Sequence, residues 1–404
     1  MSAVSSSSSS SLWRQPVFAG LFASTALLAL GGQIYQLALP LILYELTHSL
    51  AAMSNLRAVE FLPNLLLAVF IGVWVDRVCR RRWAQRALLA MAALLGVCAL
   101  ALAGGGMAAW LFYPLTFCVM LCNYVAAICR MALVKESVPA AQLVQANGYL
   151  GSLFDVFAVS GPMLSGLLIA WASPHWSLGA PALMFLLSAL LMARVPAQGP
   201  GQAGERRFLA ELAAGWRTLR GNAALWQLSW VVVLANGAAG VAEVLFLFRA
   251  RDQLGFSPSQ LGLLFGCAGA GGIAAGLCVA RVRAALGLGR MICLALLLEA
   301  GGMAAQAVLS EMPWLAGAMA LQSFVVVCGN VGVWSYRQEA TPAALIGRVS
   351  GLTGSLFKLL MPLALVLGGV LSAGMPLRDL MLATAAWQAG AGALAWLSRV
   401  RSVA

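Results

Sequence analysis

Twelve apolar segments, each long enough to cross a lipid bilayer as a helix, follow one another along this chain of 404 residues. A spanning helix needs about 20 predominantly apolar residues, and 62% of the residues here are hydrophobic while 9% are charged. A soluble domain, which is about 25% charged, could not bury such an excess of apolar side chains. The segments are also too continuous for an outer-membrane barrel, whose strands alternate over about ten residues. The sequence therefore predicts an all-α integral membrane protein with twelve transmembrane helices.

The basic residues are distributed unevenly among the loops that join these segments. Most of the 25 Lys and Arg residues lie on the side of both termini, and the net charge is +12. Loops rich in Lys and Arg stay in the cytoplasm, so we expect both termini there, with residues 1–14 as a disordered, Ser-rich tail. The basic residues form no stripe that could follow a phosphate backbone, and nucleic acid is therefore not an expected partner. Arginine far outnumbers lysine, which hints at a GC-rich genome and favours a bacterial inner membrane.

The residues of an enzyme or of a cofactor site are not apparent. The nine cysteines form no CxxC pair, so we interpret them as small apolar side chains. The two histidines, His48 and His175, lie near loops, and no nucleophile elbow, metal triad or phosphate-binding loop accompanies them. We expect no catalytic residue, no metal and no cofactor.

The two halves of the chain resemble each other. A shift of 203 residues places the segment Gly148–Phe154 on Gly351–Phe357, with identical residues at most positions. An offset of six helices preserves the direction of each helix, so the halves are parallel repeats. We therefore predict six-helix bundles at 15–196 and 223–398, a cytoplasmic linker with an amphipathic helix at 197–222, and a tail at 399–404.

The loop after the second segment carries a recognisable pattern, formed by Gly72, Asp76, Arg77, Arg80 and Arg81. It resembles the signature between helices 2 and 3 of the major facilitator superfamily, with Cys in place of the usual loop glycine. The resemblance implies that Asp76 latches against the start of helix 11, near Arg348, when the cavity is open to the outside. The alternative is that these residues are merely positive-inside charges.

A second motif lies on the fifth segment, where Gly148, Gly161, Pro162 and Gly166 resemble the helix-5 glycine and proline motif of exporters in that superfamily. The stretch from Arg130 to Pro139, with the later Pro342 to Val349, is most similar to the branch that contains the enterobactin exporter and macrolide efflux pumps. These resemblances imply export, while generic packing of small residues would explain the glycines equally simply.

Ionisable residues inside the segments are candidates for proton coupling, because a charge at mid-membrane needs a partner or a cavity. Glu60 and Lys358 lie near the midplane on segments that the family fold places side by side, and Arg57 is one helical turn from Glu60. We hypothesise that Glu60 and Lys358 form a protonation-sensitive pair, with Asp155, the repeat counterpart of Lys358, as a second candidate. A static pair that pins two helices is the alternative. Glu243 is expected to be solvated near the extracytoplasmic end of its segment.

Polar and aromatic residues on helices that form the cavity in the family fold are candidate substrate contacts: Gln33, Tyr35, Gln36, Asn123, Asn236 and Trp334. Each could instead bond to another helix, and Gln33, Tyr35 and Gln36 cannot all share one helix face.

These features together predict a secondary transporter that is driven by protons. We expect a monomer in the lipid bilayer that exports an amphipathic small molecule, a siderophore or a drug-like compound, in exchange for protons. Proton-driven uptake of a small metabolite and an intramembrane enzyme are the alternatives.

Overall fold

A computed structural model describes residues 12–75, 77–139, 142–171, 174–196, 208–342 and 345–403. Within these ranges the chain forms fourteen α-helices and no strand. They are α1 (Pro16–Thr47), α2 (Leu50–Val75), α3 (Arg80–Ala103), α4 (Phe112–Ser137), α5 (Leu143–Trp171), α6 (Pro174–Ala193), α7 (Phe208–Gly221), α8 (Ala223–Asp252), α9 (Pro258–Leu286), α10 (Leu288–Val308), α11 (Met312–Glu339), α12 (Ile346–Leu356), α13 (Met361–Leu371) and α14 (Leu377–Leu397).

The helices match the predicted apolar segments in order. In the described part of the chain, ten helical stretches are long and apolar enough to cross a membrane. Two further helices, α2 with 26 residues and α5 with 29, stand in the places of the second and fifth segments. The eleventh segment is divided between α12 and α13. The all-helical fold that was predicted is therefore confirmed.

The buried side chains form a core in each half of the molecule and a third core between them. Residues of α1 to α6, such as Leu95 and Phe185, make the first core. Residues of α8 to α14, such as Leu228 and Ile292, make the second. The third core joins α1 and α2 to α8, α9 and α13, and it lies at the end of the molecule opposite to both termini. The two bundles are thus packed together at one end.

Close packing between the bundles depends on small residues where α13 crosses α2. A Cβ atom at Gly369 would lie 3.2 Å from the Cα atom of Ala51 and 3.2 Å from Cβ of Ser54. Glycine at this position lets the two backbones approach, as small residues do in membrane helix pairs.

The eleventh span is broken although its repeat counterpart, α5, is continuous. Pro362 has no N–H and cannot donate to the carbonyl of Lys358, which weakens the helix at this point. Residues 357–360 instead turn with shorter-range bonds: Lys358 N donates to Ser355 O at 3.2 Å, and Met361 N donates to Lys358 O at 3.3 Å. The shift of 203 residues places Val159 opposite Pro362, so α5 keeps the backbone N–H that the eleventh span lacks at this point.

Two short segments near the chain ends form turns in the described part of the chain. Leu12–Arg14, assigned above to a disordered tail, form a 3-10 turn in which Leu12 is buried. Residues Arg399–Ser402, assigned to a cytoplasmic tail, also form a turn, and Gly289 N donates to Val403 O at 3.0 Å. Apolar side chains explain both turns, because Leu12 and Val400 are buried where the chain folds back onto the bundles.

The linker contains the predicted helix, α7, which begins at Phe208, while residues 197–207 lie outside the described part of the chain. Leu219 is fully buried, and Trp216 packs edge to face on Trp226 of α8 with ring centroids 5.1 Å apart. Arg217 and Arg220 are exposed. The helix therefore covers the termini end of α8 with one face and presents basic residues on the other.

Candidate functional site

A cavity of about 290 Å³ lies between the two bundles at mid-depth. Helices α1, α2 and α4 form one wall, and α8, α13 and the break before α13 form the other. Its lining residues are Gln36, Arg57, Glu60, Phe61, Asn64, Met120, Asn123, Tyr124, Gly240, Glu243, Lys358, Met361 and Leu365. Four charged side chains in one enclosed space make this cavity the candidate functional site, because buried ionisable groups in a membrane protein usually mark its transport pathway.

Arg57 connects the two walls of the cavity. Its Nη1 donates to Glu60 Oε2 at 2.6 Å, one turn along α2, and its Nη2 donates to Glu243 Oε1 on α8 of the other bundle. The side chains of Arg57 and Glu60 are 14% and 5% exposed, whereas that of Glu243 is 53% exposed. Among the described residues, Glu60 Oε1 has no hydrogen-bond partner. One guanidinium therefore bonds to two carboxylates and ties the bundles together.

The depth of Glu243 along its helix differs from the depth expected from the sequence. Glu243 was expected near the end of its segment, but α8 continues for nine residues to Asp252, which is about 14 Å of helix. Glu60 lies ten residues from the start of α2, about 15 Å from the same end of the molecule. The two carboxylates therefore share one level, and a count back from the true helix end would have revealed it.

Lys358 also reaches the cavity, but it does not form the predicted pair with Glu60. Glu60 is held by Arg57, which lies one turn away on the same helix and can reach it without any movement of the bundles. In the part of the chain that the structure describes, no carboxylate lies within ion-pair distance of Lys358. The second predicted candidate, Asp155, lies in α5, and its side chain is outside the description.

The predicted substrate contacts fall into three groups. Gln36 and Asn123 line the cavity. Two others pack inside the first bundle: Tyr35 is fully buried and donates to Thr116 Oγ1 at 3.4 Å, and Gln33 fills the space beside Gly161 of α5.

The remaining two predicted contacts lie in the second bundle. Asn236 Nδ2 donates to the Phe357 carbonyl at 3.0 Å, which satisfies an acceptor that the helix break leaves free. Trp334 is 55% exposed and lines a separate groove of about 820 Å³ formed by α9 and α11, with Val156 of α5 at its edge.

The cavity is closed at the end opposite to the termini. Tyr44 Oη donates to Asp252 Oδ1 at 3.2 Å across the bundle interface, and its ring packs edge to face on Phe248, with centroids 5.6 Å apart. Arg251 also pairs with Glu45 of the first bundle. At the termini end, in contrast, Gly148 of α5 and Gly351 of α12 have no described atom within 4 Å of a built Cβ. The bundles are therefore in contact at the end opposite to the termini.

Comparison with known proteins identifies this arrangement. The sequence profile of the Major Facilitator Superfamily matches residues 21–365. The chain belongs to the Major Facilitator Superfamily. Members of this superfamily are membrane transporters of small molecules, so the protein is a transporter rather than an enzyme.

Relatives with curated names include two efflux proteins of the superfamily. The chain is 25% identical over 369 residues to macrolide efflux protein A of Streptococcus pyogenes, an alignment that covers 87% of this chain and 88% of the relative. It is 26% identical over 299 residues to the enterobactin exporter EntS of Escherichia coli O1:K1 / APEC, covering 70% and 69%. The predicted resemblance to this branch is thereby confirmed at low identity.

Solved structures share the fold at still lower identity. The nucleoside transporter NupG superimposes with a TM-score of 0.75 at 10% identity, covering 93% of this chain and 98% of that one. A bacterial homologue of the human lysosomal transporter Spinster, in an inward-facing and unoccupied conformation, gives a TM-score of 0.74 at 15% identity, covering 96% and 97%. These structures support the superfamily fold alone.

The superfamily's loop motif after α2 is only partly within the described residues, because Asp76 lies outside them and the surroundings of Gly72 are not described. Arg80 pairs with Glu136 of α4, and Arg81 Nη1 donates to the Ala193 carbonyl of α6 at 2.7 Å. Arg77 is exposed. Two of the motif arginines thus bind neighbouring helix ends, where the dipole favours positive charge.

The helix-5 motif has one position with a defined packing role. A Cβ atom at Gly161 would clash with Cβ of Gln33, so this glycine allows α5 to touch α1. Gly148 faces open space among the described residues, and the surroundings of Pro162 and Gly166 are outside the description.

Proposed function

We propose that the protein exports an amphipathic small molecule, such as a siderophore or a drug-like compound, in exchange for protons by alternating access. The observation that carries the proposal is the bridge from Arg57 to Glu60 on its own helix and to Glu243 on the other bundle. This bridge crosses the interface between the two bundles and contains two carboxylates. Protonation of a carboxylate would weaken the bridge and so change how firmly the bundles are held together.

The position of the closed end fits a transporter at rest with its cavity facing the cytoplasm. With both termini in the cytoplasm, as the distribution of basic residues predicts, the closed end is extracytoplasmic. The contacts of Tyr44 with Asp252 and of Glu45 with Arg251 then form the outer gate. A substrate enters the cavity from the cytoplasm, and the gate opens as the bundles rock.

Coupling follows from the charge states that each conformation requires. Opening of the outer gate separates α2 from α8 and removes Arg57 from Glu243, which leaves that carboxylate free to take a proton from outside. The neutral, protonated Glu243 is carried back as the bundles return to the inward-facing state, where contact with Arg57 favours the ionised carboxylate and releases the proton to the cytoplasm. Each cycle therefore delivers a proton inward as it carries substrate outward.

Export rather than uptake is supported by the names of the relatives, a macrolide efflux protein and an enterobactin exporter. The test uses liposomes with an acidic lumen that contains a pH-sensitive dye, to which enterobactin is added outside. We expect the compound to accumulate in the lumen while the lumen becomes more alkaline.

The variant Glu243→Gln should lose both responses, whereas Lys135→Gln, which changes a charge at the end of α4, should retain them. Acidification of the lumen on addition of the compound would instead indicate symport and would contradict the proposal.

A further inference from the structure

Lys358 is held in the cavity by the break in the eleventh span. The helix ends at Leu356 and restarts at Met361, and Asn236 fixes the intervening turn by its bond to the carbonyl of Phe357, the residue before the lysine. A lysine in a continuous helix could swing to lipid or to the bundle interior. In this fixed turn its ammonium group lines the space between the bundles.

The ammonium group differs from the guanidinium of Arg57 in its direct contacts. Arg57 already engages Glu60 and Glu243, and Lys358 has no ion-pair partner among the residues that the structure describes. An unpaired charge away from bulk water costs free energy, which an anion arriving with the ligand would offset. The two cations and two carboxylates of the cavity balance overall, but at Lys358 a cation stands without a direct partner among the described residues.

The rest of the wall suits the body of an organic molecule. Phe61, Met120, Tyr124 and Leu365 provide aromatic and aliphatic surface, and the carboxamides of Gln36, Asn64 and Asn123 provide hydrogen bonds. Ligand sites are typically apolar pockets with a few placed polar groups that fix orientation. We propose that Lys358 anchors the anionic group of the substrate, so that the transported compounds are aromatic organic anions, carboxylates or ionised phenols.

This inference rests on the proposed function, because it takes the bound anion to be the transported substrate. Its test measures binding alone. The chain has two lysines, Lys135 and Lys358. Lys135 is exposed at the end of α4, about 16 Å along the helix from Tyr124 of the cavity wall, so it serves as an internal control. The full-length protein in detergent is treated with the uncharged reagent N-hydroxysuccinimidyl acetate, and acetylation of each lysine is followed by mass spectrometry.

The probes are 2-naphthoate and its neutral amide, 2-naphthamide, which have the same ring and differ in charge. We expect 2-naphthoate to slow acetylation of Lys358 at concentrations about tenfold lower than 2-naphthamide, and to leave Lys135 unaffected. Equal protection by both probes, no protection by either, or protection of both lysines would each overturn the proposal.

Variants test the roles of the residues by calorimetric binding of the same probes. Lys358→Arg should keep the preference for the anion, while Lys358→Gln should bind both probes equally. Asn236→Leu, which frees the turn, should reduce the preference without abolishing binding of 2-naphthamide, as expected for a positioning residue. Because the labelling of the unmodified protein needs neither a variant nor a pH gradient, it distinguishes failure of this inference from failure of proton-coupled export.

Discussion

The charged residues of the cavity differ in how completely they are shielded from water. Glu60 is almost fully buried and depends on Arg57, whereas Glu243 is half exposed and faces the open part of the cavity. Removal of the cation from a buried pair leaves an uncompensated carboxylate, which is far more costly than loss of an exposed partner. Arg57 is therefore the residue on which the electrostatic stability of the site depends.

Arg57→Gln should lower the free energy of unfolding by about 3 kcal/mol, because Glu60 is left without a cation. Glu243→Gln should lower it by less than about 1 kcal/mol, since Arg57 keeps Glu60. Unfolding of the detergent-purified variants measures both values. The double variant Arg57→Gln with Glu60→Gln should recover part of the loss, and equal effects of the two single variants would contradict this account of the bridge.

Individual residues were predictable from the sequence to different degrees. Arg57, Glu60 and Lys358 stood out because they interrupt apolar runs, and all three line the cavity. Their pairing was not predictable, since it depends on distances between helices that composition does not contain. Tyr35 and Gln33 were chosen for their polarity, yet helical rotation directs them to the inside of the first bundle.

At the scale of elements, the lengths of the apolar segments were enough to predict where the helices lie. The break in the eleventh span could not be predicted in this way, because it depends on contacts with other helices. The repeat suggested that the eleventh span would resemble α5, and Pro362 was the local signal that it would not. A proline in a membrane helix does not always break it, as the continuous α1 with Pro40 shows. The break before Pro362 is stabilised by Asn236, which donates to the carbonyl of Phe357 that the interrupted helix leaves free.

Two helical glycines should respond in opposite directions to the same change. Gly369→Ala should lower the free energy of unfolding by about 1–3 kcal/mol, because the new methyl group would press on the backbone of Ala51 in α2. Gly351→Ala, where a Cβ meets no described atom within 4 Å, should raise it by about 0.5–1 kcal/mol. Unfolding in detergent measures both, and a stabilised Gly369→Ala protein would show that α2 and α13 are not packed as described.

At the scale of the whole molecule, the two bundles are joined at the end opposite to the termini. The duplication in the sequence predicted two similar bundles, but the sequence could not predict which end would be closed, because both conformations use the same helices. The closed end is defined by pairs that cross the interface, above all Tyr44 with Asp252. We propose that these pairs separate in each transport cycle and that loss of the charge on Glu243 favours their separation.

Distances between spin labels measured by double electron–electron resonance test this central claim most directly. In a cysteine-free background, one label pair at Leu46 and Gln253 reports on the closed end, and another at Asn147 and Gly351 reports on the termini end. Relative to the same labelled protein with Glu243 intact, we expect Glu243→Gln to shift the first pair to longer distances and the second pair to shorter ones. Distances that stay the same in both pairs, or that change in the same direction at both ends, would contradict alternating access governed by the Arg57 bridge.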